Sequence, residues 1–205
     1  MQGCRATLSG TRSGDIHFAV NRVTGNRYDG RLLLPQFVPM SRLFKQRRSP
    51  IHGNGVFAVA TIPAKTELVE YRGRLLTHAQ ADRMYDGTTD TGHTFLFTLN
   101  ERYVIDANFE GNVARWINHS CVPNCRAVVE ENQQGRRRED RVLIESLREI
   151  AAGEELTYDY GISLGERLTP RLKKIWECRC GHARCIGTML KPKRKPVDRS
   201  KNGTT

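Results

Sequence analysis

The feature that most constrains this chain is a cysteine triad near its C-terminus, spaced C-x-C-x4-C: Cys178, Cys180 and Cys185. Three thiolates are one ligand short of the tetrahedral site that structural zinc prefers. Cys121, inside the run NHSCVPNC, is a candidate fourth ligand, and a shared metal would tie the C-terminal segment back onto Asn118 and His119. The alternative is a group of unpaired structural thiols without a metal.

The length of 205 residues allows one domain of about 150 residues with flanking segments. No apolar run approaches the roughly 18 residues of a membrane span, and the N-terminal run MQGCRATLSGTRSGDIHF lacks the apolar stretch of a secretory signal. We therefore expect an intracellular protein without a membrane partner. In a reducing compartment its six cysteines favour metal binding over disulfides.

The net charge of +11 lies in the flanks of the chain. Residues 1–50 carry nine Lys/Arg against two Asp/Glu, and residues 191–205 carry six against one. The segment between them is nearly neutral, with eighteen basic and nineteen acidic side chains, which argues against a basic binding face on the core. The tail KPKRKPVDRSKNGTT is predicted to be disordered, and a weak contact with nucleic acid through it stays open.

Turn signals and alternating apolar residues predict a β-rich chain, mainly β with short helices. Short strands are predicted in the runs GVFAVATI, LVEY, GRLL, FLFTL, YVID, RVLIESL and ELTY. Thr77 is a candidate cap for a helix through THAQADRMYD, and Thr169 with Pro170 opens a final helix, PRLKKIW. GNVARWIN is predicted to form a helical turn. Many short strands broken by glycines argue against a βαβ sheet.

Several motifs then occur in a specific order: RSPIHGNGVFA, VEYRG, ARWINHSCVPNC, GEELTYDYG and CRCGHARC. In this order they resemble SET-domain protein-lysine methyltransferases with a post-SET zinc segment, from about Ser41 to Leu190. The resemblance implies a SET-domain fold of small curved sheets, with the NHSC segment threaded beneath a C-terminal loop in a knot-like topology. The implied parts are the SET domain (41–163) and the post-SET zinc segment (164–190). The resemblance leaves two parts unexplained, a poorly defined leader (1–40) and a basic disordered tail (191–205).

The activity that the resemblance implies is methyl transfer from S-adenosyl-L-methionine, a sulfonium cation, to the ε-amine of a lysine in a histone or another basic protein. The amine must be neutral, and with a reference pKa of about 10.4 its deprotonation at pH 7 costs roughly 4.6 kcal/mol. Desolvation in an apolar channel and repulsion from the sulfonium lower that pKa, so a carboxylate base is unnecessary. The remaining requirement is in-line alignment of amine, methyl and sulfur.

The family's catalytic tyrosine corresponds to Tyr160, the last residue of ELTYDY. Tyr158 matches the position where the family carries Tyr or Phe to set the product, and Tyr there implies mainly monomethylation. Tyr71 in VEYRG and Phe95 in HTFLF match channel-lining positions, although many relatives carry Tyr in place of Phe95. The alternative for Tyr158 and Tyr160 is a pair of interface tyrosines.

The implied cofactor-binding residues include the turn HGNG, where a missing side chain lets the backbone approach a ligand. They also include the Asn-His pair of NHSC and an arginine that precedes Trp116, where the family usually has Phe. The complete implied set is His52, Gly53, Asn54, Gly55, Phe95, Arg115, Asn118 and His119. The implied ligands of a structural zinc are Cys121, Cys178, Cys180 and Cys185, with Cys125 as the spare thiol.

Two other functions stay open from the sequence. One is a catalytically silent SET-like module that binds peptides, although such a module would often have lost Tyr160 or Asn118. The other is a zinc-containing nucleic-acid-binding protein, which the basic flanks favour and the near-neutral core opposes. An active enzyme is expected at the chromosome or in the nucleus of a eukaryote, or in the cytoplasm of a bacterium.

Overall fold

The computed structural model describes residues 43–85, 94–164 and 167–191, together with the backbone of two earlier strands. In these residues the predicted β-rich fold with short helices is confirmed. None of the helices among them combines the length and the apolar character that a membrane crossing requires. The rest of the leader, and the basic tail after Lys191, lie outside the described residues.

The strands of the described chain are, in order, β1 (Arg5–Ala6), β2 (Ile16–Phe18), β3 (Phe44–Arg48), β4 (Asn54–Ala58), β5 (Glu67–Glu70), β6 (Arg74–Thr77), β7 (Leu96–Thr98), β8 (Tyr103–Asp106), β9 (Asn118–His119), β10 (Cys125–Glu130), β11 (Arg141–Ser146), β12 (Glu155–Tyr158) and β13 (Ile162–Leu164). The helices are α1 (His78–Met84) and α2 (Pro170–Ile175), and short 3₁₀ turns cover Val113–Trp116 and Arg137–Glu139. The predicted helical turn in GNVARWIN is therefore present.

Both predicted helix starts are confirmed. Thr77 caps α1, because its hydroxyl accepts the Gln80 N–H while the Gln80 side chain accepts the Thr77 N–H at 2.8 Å. This reciprocal pair is a capping box, which satisfies two backbone donors that a helix start otherwise leaves free. Thr169 caps α2 through its side chain, which accepts the Leu172 N–H, and Pro170 follows it in the first helical turn.

The main sheet has seven strands in the order β3-β4-β12-β10-β11-β5, with β9 beside β12. Strand β9 runs parallel to β12 and pairs Asn118 with Thr157 and His119 with Tyr158. The NHSC and ELTYDY motifs therefore lie side by side, although they are far apart in sequence. Two three-stranded sheets complete the fold, in the orders β6-β8-β7 and β1-β2-β13. The threading of NHSC beneath a C-terminal loop stays a prediction.

Apolar side chains form a main core and a second, smaller cluster. In the main core β11 follows the period of a half-buried strand, since Val142 and Ile144 are fully buried while Arg141 is exposed. The second cluster joins the β6-β8-β7 sheet to the C-terminal segment, whose Trp176 and Leu190 are buried in it. The C-terminal segment thus has its own apolar anchors.

Candidate functional site

A cavity of about 200 Å³ opens where the turn after β3, the region of β9 and the C-terminal segment meet. Its wall contains Tyr160 and every residue of the implied cofactor set except Gly55. Tyr71 and Tyr158 are not on this wall, and both are buried in the main core. The fold therefore gathers into one cavity residues that the sequence distributes from His52 to Tyr160.

The turn between β3 and β4 presents its backbone to this cavity. Gly53 has a φ of +50°, in the left-handed region that side chains disfavour, so this position favours glycine. Gly55 is glycine for a different reason, because a Cβ there would lie 2.2 Å from Oε1 of Glu155. The missing side chain at Gly55 thus makes room for a carboxylate, whereas the sequence suggested room for a ligand.

The Asn118 amide holds the turn in place. Its Nδ2 lies 3.2 Å from the His52 carbonyl oxygen, 2.9 Å from the Asn54 carbonyl oxygen and 2.8 Å from Oε1 of Glu155. An amide carries two N–H groups, so three acceptors share two protons. The Asn118 side chain therefore supports the cavity wall as well as lining it.

The His119 ring is buried between Tyr160 and the cysteine cluster. Its Nδ1 accepts the Tyr160 backbone N–H at 3.1 Å, which places the ring proton on Nε2, 3.7 Å from the Cys121 sulfur. Burial lowers the pKa of His119 to about 4, although the Asp159 carboxylate acts in the opposite direction. The imidazole is therefore neutral at pH 7, and it lies between the backbone of Tyr160, which follows β12, and the sulfur of Cys121.

The tyrosine at the cavity wall is a neutral hydrogen-bond donor. Tyr160 donates its hydroxyl to the Ile117 carbonyl oxygen at 2.9 Å, and its ring centroid lies 4.8 Å from that of Tyr158. Burial, followed by the nearby charge of Glu155, raises the pKa of Tyr160 well above its ordinary value. Tyr71 donates its hydroxyl to the Phe95 carbonyl oxygen at 3.0 Å. The Tyr160 hydroxyl therefore stays protonated near pH 7 and cannot serve as a base there.

Arg115 lies against two aromatic rings at the cavity. Its guanidinium carbon is 4.8 Å from the Phe95 ring centroid and 4.4 Å from that of Trp116, and the two rings meet edge to face at 5.2 Å. Nη1 donates to the Ala107 carbonyl oxygen at 2.8 Å, whereas the buried Nε has no hydrogen-bond partner among the residues that the structure describes. A buried donor without a partner is costly, so this side chain fits a ligand that brings a polar group.

The C-terminal segment supplies cavity-lining residues that the sequence reasoning missed. Beside the cysteine Cys178, these lining residues are Ile175, Trp176, Glu177, Arg179 and Met189. An antiparallel bridge between Glu177 and Thr188 closes the loop that holds the three clustered cysteines of this segment. The sequence offered one signal for these lining residues, namely that they lie close to the predicted metal ligands in the chain.

The thiols of Cys121, Cys178, Cys180 and Cys185 meet in one cluster. All four sulfurs lie within 4.8 Å of one another, with Cys121 at 3.6 Å from Cys178 and 3.8 Å from Cys185. Tetrahedral zinc with Zn–S bonds of about 2.3 Å requires sulfur separations of about 3.8 Å, so the spacing fits zinc. Cys125 lies outside the cluster, with its buried thiol 3.4 Å from the Asn124 side-chain oxygen.

The thiols of the cluster differ in acidity. Burial raises the pKa values of Cys121 and Cys178. Burial acts to raise the pKa of Cys180, but hydrogen bonds from the backbone and with the Cys178 and Cys185 thiols together outweigh it and lower this pKa to about 6. Four thiolates at these distances repel one another strongly, and a divalent cation removes that repulsion.

Together, the small sheets and the cavity beside a cysteine-rich segment define a β-rich domain with one candidate ligand site among the described residues. The family described as SET domain matches residues 53–161. The chain therefore belongs to the SET-domain family, as its motifs indicate.

Three curated relatives illustrate this membership. "Histone-lysine N-methyltransferase set1" of Dictyostelium discoideum is 35% identical over 164 residues, 75% of this chain and 11% of that protein. "Histone-lysine N-methyltransferase, H3 lysine-4 specific" of Saccharomyces cerevisiae is 39% identical over 142 residues, 68% of this chain and 12% of that protein. "Histone H3-lysine(4) N-trimethyltransferase ATX1" of Arabidopsis thaliana is 37% identical over 148 residues, 69% of this chain and 13% of that protein. The chain thus spans a small part of the length of these relatives.

Proposed function

We propose that this chain is a protein-lysine N-methyltransferase that transfers a methyl group from S-adenosyl-L-methionine to the neutral ε-amine of a substrate lysine. The observation that carries this proposal is the cavity, whose wall joins Tyr160 to seven of the eight implied cofactor-binding residues. The three relatives described above are named as histone-lysine N-methyltransferases, which supports the same activity.

S-adenosyl-L-methionine, when bound, supplies an electrophilic methyl group on a cationic sulfur. The residues that would hold it are the backbone of the turn His52–Asn54, the Asn118–His119 pair and Arg115. The cavity wall fits this cofactor in two respects. The buried Nε of Arg115 lacks a hydrogen-bond partner among the described residues, and Phe95 and Trp176 add aromatic surface. A ligand with polar groups and a flat aromatic part matches that combination.

The chain's own residues prepare the amine without a general base. Among the described residues of the wall the one carboxylate is Glu177, which lies 2.8 Å from Lys174 Nζ and 3.2 Å from Arg179 Nε. The hydroxyl of Tyr160 stays protonated, so it can orient the amine but cannot take its proton. Desolvation and repulsion by the cationic sulfur then lower the pKa of the lysine.

We assign the product state to Tyr158 and the channel to Tyr71, Tyr158 and Tyr160. Tyr158 is 5% exposed and lies against Tyr160, so a bulkier methylated amine has little room beside its hydroxyl. The proposed product is mainly monomethyllysine. The Arabidopsis relative is named as a trimethyltransferase. The number of methyl groups that this chain adds to one lysine must therefore be measured directly.

We propose that Cys121, Cys178, Cys180 and Cys185 bind one structural zinc ion. With four protein ligands such a site has no open position, so the metal activates no water and acts on the shape of the cavity. The ligand Cys178 and its neighbours, among them Trp176 and Arg179, then form one wall of the cavity. The post-SET segment is assigned to residues 164–190.

The proposed substrate class is a histone or another basic protein. Relatives named as H3 lysine-4 specific favour a histone tail, and they support a location at chromatin if the enzyme is eukaryotic. The pairing of β2 with β13, two residues beyond Tyr160, favours a recognition role for the segment 1–40 over a simple leader. The tail 191–205 is assigned at most a weak, salt-sensitive contact with nucleic acid.

The test is transfer of tritiated methyl groups to histones and to mixtures of basic proteins, comparing the wild type with Tyr160→Phe. We expect transfer by the wild type and a large loss in the variant, with cofactor binding retained. Measurable cofactor binding without transfer to any substrate would instead favour the silent peptide-binding module.

A further inference from the structure

A carboxylate lies behind the cavity-lining turn, not on the cavity wall. Glu155, the first residue of β12, is half-buried and does not line the cavity. Its Oε1 accepts hydrogen bonds from the Ser49 hydroxyl and from the Asn118 amide, both at 2.8 Å. The Ser49 hydroxyl also lies 2.9 Å from the second oxygen, Oε2. One side chain therefore joins the residue that precedes the turn to strand β9.

Both partners of this carboxylate bind the backbone of the turn. Ser49 Oγ accepts the Ile51 N–H at 2.9 Å. The Asn118 amide nitrogen lies within hydrogen-bond distance of the carbonyl oxygens of His52 and Asn54, at 3.2 and 2.9 Å. Residues 51–54, which line the cavity, are thus held from two sides by groups that meet on one carboxylate.

The packing around this carboxylate is tight. A Cβ added at Gly55 would lie 2.2 Å from Oε1 of Glu155 and 2.9 Å from Cβ of Ser49. Real Cβ atoms do not approach other atoms so closely, so the turn and the carboxylate fit each other only with glycine at this position.

We propose that Glu155 is a positioning residue for cofactor binding, which fixes the conformation of residues 51–54 and the orientation of the Asn118 amide before the cofactor arrives. This inference rests on the proposed function, because it assigns the cavity to S-adenosyl-L-methionine. A wall that is already ordered loses less conformational entropy on binding, so it binds more tightly. The expected contribution is about ten-fold in affinity, which corresponds to one charge-assisted hydrogen bond.

The experiment compares the wild type, Glu155→Gln and the matched control Glu154→Gln. Glutamine keeps the shape of the side chain and one oxygen that can accept from Ser49 and Asn118. It removes the negative charge that strengthens both hydrogen bonds, and it replaces the second oxygen, 2.9 Å from the Ser49 hydroxyl, by a donor. Glu154, the preceding residue, instead accepts from Arg148 and from the Asn124 amide, away from the cavity. Binding of S-adenosylhomocysteine is measured by titration calorimetry, with melting temperatures of the free proteins and the KM values for cofactor and peptide.

We expect Glu155→Gln to weaken S-adenosylhomocysteine binding about ten-fold and to raise the KM for the cofactor, with the KM for the peptide unchanged. The control should stay within about two-fold of the wild type in binding, because neither Glu154 nor its partners Arg148 and Asn124 line the cavity. Equal binding by Glu155→Gln and the wild type, or equal losses in Glu155→Gln and Glu154→Gln, would overturn the inference and leave the proposed function intact. A wild type that binds no S-adenosylhomocysteine would overturn the proposed function and the inference with it.

Ser49→Ala provides a second test if Glu155→Gln does not fold. This variant removes the hydroxyl that links the turn to the carboxylate and leaves the carboxylate in place. We expect weaker binding in Ser49→Ala than in the wild type, which is a test by itself. Where Glu155→Gln folds, its loss should be the larger one, and the double variant should lose less than the sum, because the two side chains act through one contact. Unchanged binding in Ser49→Ala, or strict additivity, would argue against positioning through this network.

Discussion

Removal of the metal is expected to release the C-terminal wall of the cavity while the main sheet stays folded. In this segment Trp176 and Leu190 are buried in the second core cluster. Full burial of such a side chain contributes about 1.5–3 kcal/mol, so the two together contribute about 3–6 kcal/mol. A structural zinc ion in a small module contributes on the order of 10 kcal/mol. The proposed metal would therefore supply the larger part of the free energy that orders the residues between Trp176 and Leu190.

The assay is limited trypsin digestion followed by mass spectrometry, with and without a chelator. Arg179 and Arg184 lie in the loop between the thiols, and we expect rapid cleavage there after chelation or in Cys180→Ser. Metal analysis should give one zinc ion per chain, and S-adenosylhomocysteine binding should fall because the loop lines the cavity. Cys125→Ser is the matched control, since that thiol lies outside the cluster, and it should keep the zinc and the digestion pattern of the wild type.

One result would refute this reasoning directly. If chelation removes the metal while the digestion pattern and ligand binding stay as in the wild type, the apolar anchors suffice to order the wall. A wild-type chain prepared with zinc present that contains no metal would refute the assignment of the four ligands.

The product distribution, the pH dependence and the stability each respond to a defined change. Tyr158→Phe should raise the di- and trimethylated fractions in mass spectra, and an unchanged distribution would contradict the assignment of this hydroxyl. Between about pH 7 and about pH 9, kcat/KM should rise with pH because the neutral fraction of the substrate amine grows. Burial raises the pKa of Tyr160 above its ordinary value, so this hydroxyl stays protonated over that range, and a plateau beginning near pH 6.5 would point to an enzyme base. Thr77→Ala removes the capping box of α1 and should lower the free energy of unfolding by about 1 kcal/mol, measured by denaturant titration. An unchanged midpoint would mean that the start of α1 adds nothing to global stability.

Local signals in the sequence were enough to predict most strands and both helix starts. Alternating apolar residues predict β11 and β12, and capping residues predict where α1 and α2 begin. Strand β10 (Cys125–Glu130) was not predicted. It directly follows Pro123 and Asn124, which are typical of a turn, and it pairs along its whole length with β11, a contact that the local sequence does not show. Strand β3 (Phe44–Arg48) was missed as well, since four of its five residues are exposed and carry no apolar alternation.

The candidate site was predicted through the family's motifs, not through general patterns. Those motifs located Tyr160, Asn118 and the four clustered cysteines, which the fold brings together. They did not indicate Glu155 or Trp176, because the role of each depends on contacts between distant segments. Glu155 meets Ser49, which is 106 residues away in sequence, and no local pattern records such a contact.

Besides its apolar anchors, the C-terminal segment has two polar attachments, and both connect it to the region around Tyr160. At one place Cys121 joins the cluster directly after β9, which pairs with β12. At the other, Lys191 Nζ lies 2.6 Å from Asp159 Oδ2, and the Lys191 N–H donates to the Ile162 carbonyl oxygen at 2.7 Å. That ion pair is about one third exposed, so it contributes less than about 1 kcal/mol, and the metal end dominates. Loss of zinc should therefore reduce activity mainly through cofactor binding and through the alignment of Tyr160, since no step of the proposed chemistry requires the metal itself.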